Sequence, residues 1–287
     1  MFFNESSGVK LAQAEQSALV DAATERGLDV VRVTREIDIA TIARERLRQG
    51  RTLIVAAGGD GTIHHVIQSL IHNPDATLGV IPIGTYNHFA RDLGIPLDWR
   101  AALDVATSGE TRAIDVAHIN DRYFVNNVSL GLYPELVARR EERGREYPRW
   151  KARMYAFFAT LRKYPHVTIV VETEHHQEVI RSHVFIVSNN SYDLSRVGVE
   201  APRAALTEGR LSVYWLPHLR RLALAKFGAH YLAGRVRATP GFRSFRTSRL
   251  KVQTRRATLH LGIDGELFTM QAPLVITIAP QSLQVKA

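Results

Sequence analysis

"VAAGGDGTIHHVIQSL", residues 55–70, is an apolar run that stops at two glycines, an aspartate and a third glycine, then restarts with helical spacing. The run that leads into it, "TLIVAA", is apolar and partly β-branched with no helical period, so it reads as a buried strand. A strand-to-helix turn needs one glycine at most. Gly58, Gly59 and Gly61 together imply that something approaches the backbone closely. Strand, glycine turn and helix in that order put backbone N–H groups and the positive end of a helix where a phosphate can sit. Asp60, at the carboxyl end of the strand, then faces the crevice in which open α/β sheets bind ligands. The same residues also fit a tight turn with an aspartate cap, and the turn alone leaves both readings open. The spacing is not that of a Walker A loop, because no lysine follows, nor that of a G-x-G-x-x-G dinucleotide turn.

Working outward, the first half of the chain alternates short apolar runs with amphipathic segments. "MFF" is a stub of strand and "NESSG" a polar turn; a helix is expected from Leu11 to Arg26, a strand in "LDVVRVT", and a helix over Ile37–Gln49 closed by Gly50. After the glycine turn come a helix over Thr62–Ile71 and a strand in "TLGVIPI". "GTYNHFARDLGIP" then repeats the device with a Gly-Thr turn, a short helix and a Gly-Ile-Pro stop. Thr85 and Asn87 in this second turn are candidates for phosphate or ribose, N-capping being the ordinary role of both residue types. The rhythm predicts an α/β domain with a mostly parallel sheet.

Near residue 113 the rhythm changes. "RAIDVAHIN" and "RYFVNNVSLG" look like a hairpin around Asn120 and Asp121. Further strand candidates follow with little helix between them, in "HVTIVVETE", "EVIRSHVFIVSNN", "GRLSVYWL", "SRLKVQTRRATLHLGID", "GELFTM" and "LVITIAP". Their succession predicts an antiparallel second domain, interrupted by helical stretches at Tyr147–Tyr164 and Leu219–Val236. In "LGIDGELF", Asp264 and Glu266 flank a glycine, and Asp-Gly is also the strongest short signal for a plain hairpin.

The bulk numbers agree with such a chain. Its 287 residues exceed what one core usually absorbs, and 45% hydrophobic with 23% charged residues is an ordinary globular composition. No apolar stretch approaches the roughly 20 residues of a membrane span. "MFFNESSG" lacks a basic segment followed by an apolar one, so no secretory leader is expected there. Without cysteine there are no disulfides, thiolate metal sites or thiol nucleophiles, and a cytoplasmic location is expected. The net charge of +9 is uneven: Gly209 to Ile263 holds 12 Arg and Lys and no Asp or Glu. A surface of that kind attracts polyanions, whether nucleic acid or an anionic leaflet.

"GGDGT", followed by "IPIGTYNHFARDLGIP" and a late "IDGE", resembles the diacylglycerol kinase catalytic family, which includes bacterial soluble lipid kinases and sphingosine kinases and is distantly related to NAD kinases. The resemblance extends over almost the whole chain: "FFNESSG" matches the family's first strand and turn, with Glu5 in place of a proline, and "NNVSLGLYPELV" and "APRAALTEGRLSVYWL" match strands of its second domain. It implies two lobes, an α/β nucleotide-binding lobe similar to NAD kinases over residues 1–115, completed by about 275–287, and an antiparallel β-sandwich over 116–274 that holds the lipid. It further implies that ATP lies against Asn4, Gly8, Thr34, the Gly58–Thr62 loop (Gly58, Gly59, Asp60, Gly61, Thr62) and Thr85, with Asn87 beside them. Mg2+ would bridge the phosphates, with Asp60, Glu208 and Glu266 as expected metal ligands. The family's proton acceptor has been placed on either aspartate motif; Asp264 is the expected base and Asp60 the organiser of metal and nucleotide.

This chain departs from the family at His64 and His65, and at His88, where an acid is usual. A soluble lipid kinase must collect its substrate from a bilayer, and "YPRWKARMYAFFATLRKYP" and "LRRLALAKFGAHYLAGRVR" have the aromatic and basic composition of interfacial helices. The expected function is an ATP- and Mg2+-dependent lipid kinase acting peripherally at an anionic membrane, with no nucleic acid partner, the question of a homodimer being left open. The alternatives are a kinase of a soluble acceptor, as in NAD kinases, and a catalytically idle nucleotide- or lipid-binding regulator.

Overall fold

The computed structural model describes residues 1–7, 11–34, 36–131, 166–190, 206–217, 223 and 243–287. Gly8 and, apart from Ala223, the two expected interfacial helices lie outside them. The chain divides into two compact units, Met1–Val116 with Ala279–Ala287, and Ala117–Ile278.

The first unit is built on a parallel sheet. Strands β1 (Phe2–Phe3), β2 (Val31–Arg32), β3 (Leu53–Gly58) and β4 (Thr77–Pro82) lie in the order β2, β1, β3, β4. The C-terminal part of β15 (Leu274–Lys286) adds parallel to β4, pairing Gln284 with Thr77 and Val285 with Leu78. Helices α1 (Gln13–Glu25), α2 (Ile39–Arg48) and α3 (Asp60–Leu70) are the crossovers, followed by α4 (His88–Asp92) and α5 (Trp99–Ser108). The chain steps from β1 to β2 in one direction and from β2 to β3 in the other. Right-handed crossovers therefore send α1 and α2 to opposite faces; α2 packs on α3, and α1 on α5. The reversal falls between β1 and β3, the switch point at which open α/β sheets bind ligands.

α5 was not anticipated, although its signals were present. Asp98 accepts from the N–H groups of Arg100 and Ala101, Gly109 ends the helix on the Val105 carbonyl, and Trp99, Ala102, Leu103 and Ala106 form its buried face. It lies close on β4: a Cβ on Gly79 would come within 2.9 Å of the Ala106 Cβ.

The second unit is antiparallel. Strand β9 (Gln177–Ser188) is its spine, pairing along one edge with β8 (Val167–Thr173) and β7 (Asn127–Gly131), and along the other with β10 (Leu211–Pro217). β7 continues to β13 (Thr258–Ile263) and β14 (Glu266–Gln271), β8 to β12 (Arg249–Gln253), and β10 to β11 (Arg243–Thr247). The hairpin of β5 (Thr111–Ile119) and β6 (Arg122–Phe124) turns at Asn120, in the left-handed region at φ 49°. "SRLKVQTRRATLHLGID" is two strands rather than one, broken at Thr254–Ala257, and β11 was not foreseen. Alternate residues of these strands, among them Val128, Phe185, Val187, Val213, Leu250, Val252, Leu261 and Ile263, make one apolar core.

Candidate functional site

The parallel sheet brings most of the expected nucleotide residues to one edge. Asn4 follows β1, Thr34 follows β2, Gly58–Thr62 end β3 and begin α3, and Thr85 and Asn87 follow β4, all at carboxyl ends. Thr34 and Thr85 are exposed. Asn4 is tied in by its backbone N–H to the Ala57 carbonyl at 2.9 Å and by Nδ2 to Thr62 Oγ1 at 2.9 Å. Ser7, overlooked in the sequence, is buried and its Oγ accepts from the Gly59 N–H at 3.2 Å.

The two glycine turns lean on each other. A Cβ on Gly84 would fall 2.4 Å from the Gly59 Cα, and one on Gly58 would fall 2.5 Å from Thr62 Cβ. Close approach does require these glycines, but the approaching group is the neighbouring backbone or the chain's own threonine. Asn87 completes the second turn. Held at φ 52° and buried, it accepts from the Gly84 N–H at 2.9 Å and donates to the Pro82 and Gly84 carbonyls. Its amide thus holds the turn that was expected to touch phosphate or ribose, and it makes no side-chain cap.

Asp60 does something the sequence did not disclose. It opens α3, yet its carboxylate turns to the neighbouring helix, accepting from the N–H groups of Phe89 at 3.1 Å and His88 at 3.3 Å. The acid thus caps α4 and leaves its own helix uncapped. The first-turn amides of Asp60, Gly61 and Thr62 have no acceptor within an α-helix and meet none among the described residues. Among the described residues, the N-terminus of α3 is left open at the switch point. Polyphosphate fits there on geometry, because those amides and the helix dipole favour an anion. Each Asp60 oxygen carries a single N–H bond, and a carboxylate oxygen has lone pairs for a cation besides.

The histidines divide. His64 is buried, with its Nε2 3.4 Å from Gln68 Nε2, while His65 is exposed. His88 is exposed and stacks on Tyr86 with ring centroids 5.6 Å apart.

In the second unit, Asp264 and Gly265 form the two-residue turn of the β13–β14 hairpin at φ 48° and 92°, the signs of a type I′ turn. The Asp264 carboxylate accepts three backbone N–H groups, from Val125 at 3.0 Å, Asn126 at 2.8 Å and Asn127 at 3.0 Å, and its own N–H donates to the Asn127 carbonyl at 2.9 Å. It locks the hairpin tip onto the start of β7. The carboxylate therefore has a positioning role in the hairpin, beside the proton-accepting role that the resemblance implies for it. Glu266, the first residue of β14, pairs with Ile263 and is half-buried.

Glu208, the third expected metal ligand, lies apart from these residues in sequence and has a charged partner. It meets a cation of the protein's own, Arg246 Nη1, at 2.8 Å from its Oε2. Among the described residues no three His, Asp or Glu side chains gather as a metal site would need. Sequence reasoning passed over Asp115, a buried carboxylate in the first unit that accepts from the Gln281 N–H at 2.9 Å where β15 turns at φ 49°. Nothing in "RAIDVAHIN" distinguishes it from an ordinary strand residue.

Comparison with known proteins agrees with both units. Residues 1–119 match the model of the diacylglycerol kinase catalytic domain, and residues 127–287 match that of the YegS C-terminal NAD kinase beta sandwich-like domain. Curated proteins named diacylglycerol kinase from Staphylococcus aureus strains JH9 and Newman are 36% identical over 129 residues, a match covering 44% of this chain and 41% of theirs. The match thus spans about two-fifths of those relatives' length. A Bacillus anthracis crystal structure superposes with a TM-score of 0.75 at 18% identity, over 99% of this chain and 95% of that one. A further one, described as a diacylglycerol kinase from the same organism, gives 0.71 at 17% identity over 99% and 94%. The α/β lobe and the antiparallel unit are therefore those of a known family, and the chain belongs to the one that joins a diacylglycerol kinase catalytic domain to a YegS C-terminal NAD kinase beta sandwich-like domain.

Proposed function

We propose that the protein is a lipid kinase that transfers a phosphoryl group from ATP to a hydroxyl of a diacylglycerol- or sphingosine-like lipid. The observation that carries this reading is the open N-terminus of α3 at the switch point, left uncapped because Asp60 faces α4. The amides of Asp60, Gly61 and Thr62 bind and orient phosphate; Asn4 and Ser7 hold the loop that presents them. Mg2+, when bound, would neutralise the charge that spreads over the phosphoryl oxygens, and Asp60 is the carboxylate that would hold it. Asp264 fixes the acid hairpin, and a carboxylate there, Asp264 itself or Glu266 one residue past the turn, accepts the proton of the lipid hydroxyl. No helix among the described residues is long and apolar enough to cross a membrane; in this reading the acceptor is drawn from a bilayer by a protein resting on its surface.

The test is transfer of radiolabel from ATP with magnesium to diacylglycerol, monoacylglycerol, sphingosine, ceramide and phosphatidylglycerol in neutral mixed micelles. One labelled lipid is expected, with kcat lowered in Asp60→Asn by loss of the carboxylate that holds Mg2+, and roughly 100-fold or more in whichever of Asp264→Asn and Glu266→Gln removes the base. Label on none of these lipids, with ATP still bound, would point to a soluble acceptor or an idle binder.

A further inference from the structure

The second unit has a basic recess of its own. A cavity of about 300 Å³ lies between the β12–β13 and β14–β15 connections, lined by Lys251, Gln253, Thr254, Arg255, Arg256 and Pro273. The two connections are tied by the Ala272 N–H to the Ala257 carbonyl at 2.8 Å. Volume of that order is the lower end of small-ligand sites and suits a phosphorylated headgroup. One acid faces the recess, Glu172 on β8, which is 3.9 Å from Lys251 Nζ and accepts from Gln253 Nε2 at 3.4 Å. Arg255 and Arg256 are exposed and make no ion pair among the described residues. Three cations against one carboxylate leave the recess positive.

Register adds a second observation. Gln253 pairs with Val170, and Val170 with Val179, so these side chains share the sheet face that carries Lys251, opposite the core. Val179 is 67% exposed, the most exposed large apolar side chain among the described residues. Arg181 and Arg249 are exposed and occupy alternate positions on the same face. A protruding valine beside Arg181, on a face that also carries Lys251 and Arg249 with Glu172 between, suits a surface that is anionic at headgroup level and apolar just beneath it. A free phosphate or a nucleic acid has no use for the valine.

We propose that this face of the second unit docks on a bilayer containing anionic phospholipid, with Lys251, Arg255 and Arg256 taking a lipid phosphate and Val179 entering the headgroup layer. The inference rests on the lipid kinase reading only for the need to reach a membrane; the surface is independent of the phosphate and acid motifs.

The experiment is flotation of the full chain with vesicles of phosphatidylcholine alone or mixed with phosphatidylglycerol, at low and raised salt. Binding is expected to the mixed vesicles alone and to weaken with salt, whose Debye length is about 10 Å at 0.1 M. Arg255→Gln with Arg256→Gln is expected to lower the partition coefficient roughly 25-fold, about five-fold per charge near the surface, and Val179→Ser to weaken it independently. Both variants should keep the parent's thermal midpoint and its phosphorylation of short-chain diacylglycerol in neutral micelles. Equal vesicle binding by parent and double variant would overturn the docking surface, even with micellar activity intact. So would binding of inorganic phosphate or a duplex oligonucleotide with no vesicle binding. Absence of micellar activity in every form, with vesicle binding lost only in the variants, would sink the kinase reading and leave the surface standing.

Discussion

Replacing Asp264 by alanine removes one carboxylate that closes three backbone hydrogen bonds at 2.8–3.0 Å. A hydrogen bond to a charged acceptor contributes about 1.5–3 kcal/mol when both partners are buried, which would put the set at roughly 5–9 kcal/mol. Val125 and Asn126 are buried, but Asn127 and Asp264 itself are half-buried, so water replaces part of the loss. Alanine also inherits the φ of 48°, where a left-handed residue costs about 1 kcal/mol. The expected loss for Asp264→Ala is therefore about 3–5 kcal/mol. Asp264→Asn keeps one acceptor and turns an N–H toward the Val125 or Asn126 donor, for about 2 kcal/mol. Urea unfolding followed by far-ultraviolet circular dichroism and by the fluorescence of Trp215, in the same unit, measures it. With a slope of about 1–3 kcal/mol per molar, the alanine midpoint falls by one molar or more. The reasoning is refuted if Asp264→Ala unfolds with the parent's midpoint, above all if it is then inactive, since that combination belongs to a group that touches the reacting atoms. Activity of the alanine variant is uninterpretable without this measurement.

Gly84→Ala forces a Cβ to 2.4 Å from the Gly59 Cα, so the two turns part; ATP binding by calorimetry should be lost or weakened at least 10-fold, whereas Gly94→Ala, with open space around its Cβ, costs only backbone strain. Asn87→Ala removes three hydrogen bonds from a buried turn at φ 52° and should destabilise the first unit by about 2–4 kcal/mol, a loss that Asn87→Asp does not repair because its oxygens cannot donate to Pro82 and Gly84. Asp38 caps α2 on Thr41, whose hydroxyl and N–H hold its carboxyl below the usual 3.8. A depressed folded value stabilises above the unfolded one and fades as pH falls through it, so Asp38→Ala should lower the thermal midpoint at pH 7 and have no effect on it near pH 2.

Much of the fold was legible because its signals are local. The strand–glycine–helix unit, the Gly50 stop and the Asp-Gly hairpin each declare themselves within a few residues, and the switch from alternating elements to bare strands marks the change of architecture. α5 carried an equally local signature in Asp98 and Gly109 and was missed because the Gly-Ile-Pro stop before it was taken to end the helical run. The site was less legible because its partners are distant. Asp264 is held by residues more than 130 positions earlier, and Asp60 by a helix that begins 28 residues later. Glycine composition shows that a close approach exists; it does not say whether the visitor is a phosphate or the chain itself. At Gly59 and Gly84 it is the chain.

The last strand of the parallel sheet has a bearing on synthesis. β4 is paired by β3 at once, but its other neighbour is Gln284 and Val285 of β15, about 200 residues later, or roughly 10–40 s at ribosomal rates of 5–20 residues per second. Through that interval the nascent first unit presents an open, apolar strand edge, the kind that recruits foreign strands. Translation pauses or holding chaperones would therefore be felt most at the junction of β4 and β15, and a peptide copying residues 280–287 should slow refolding by occupying that edge first.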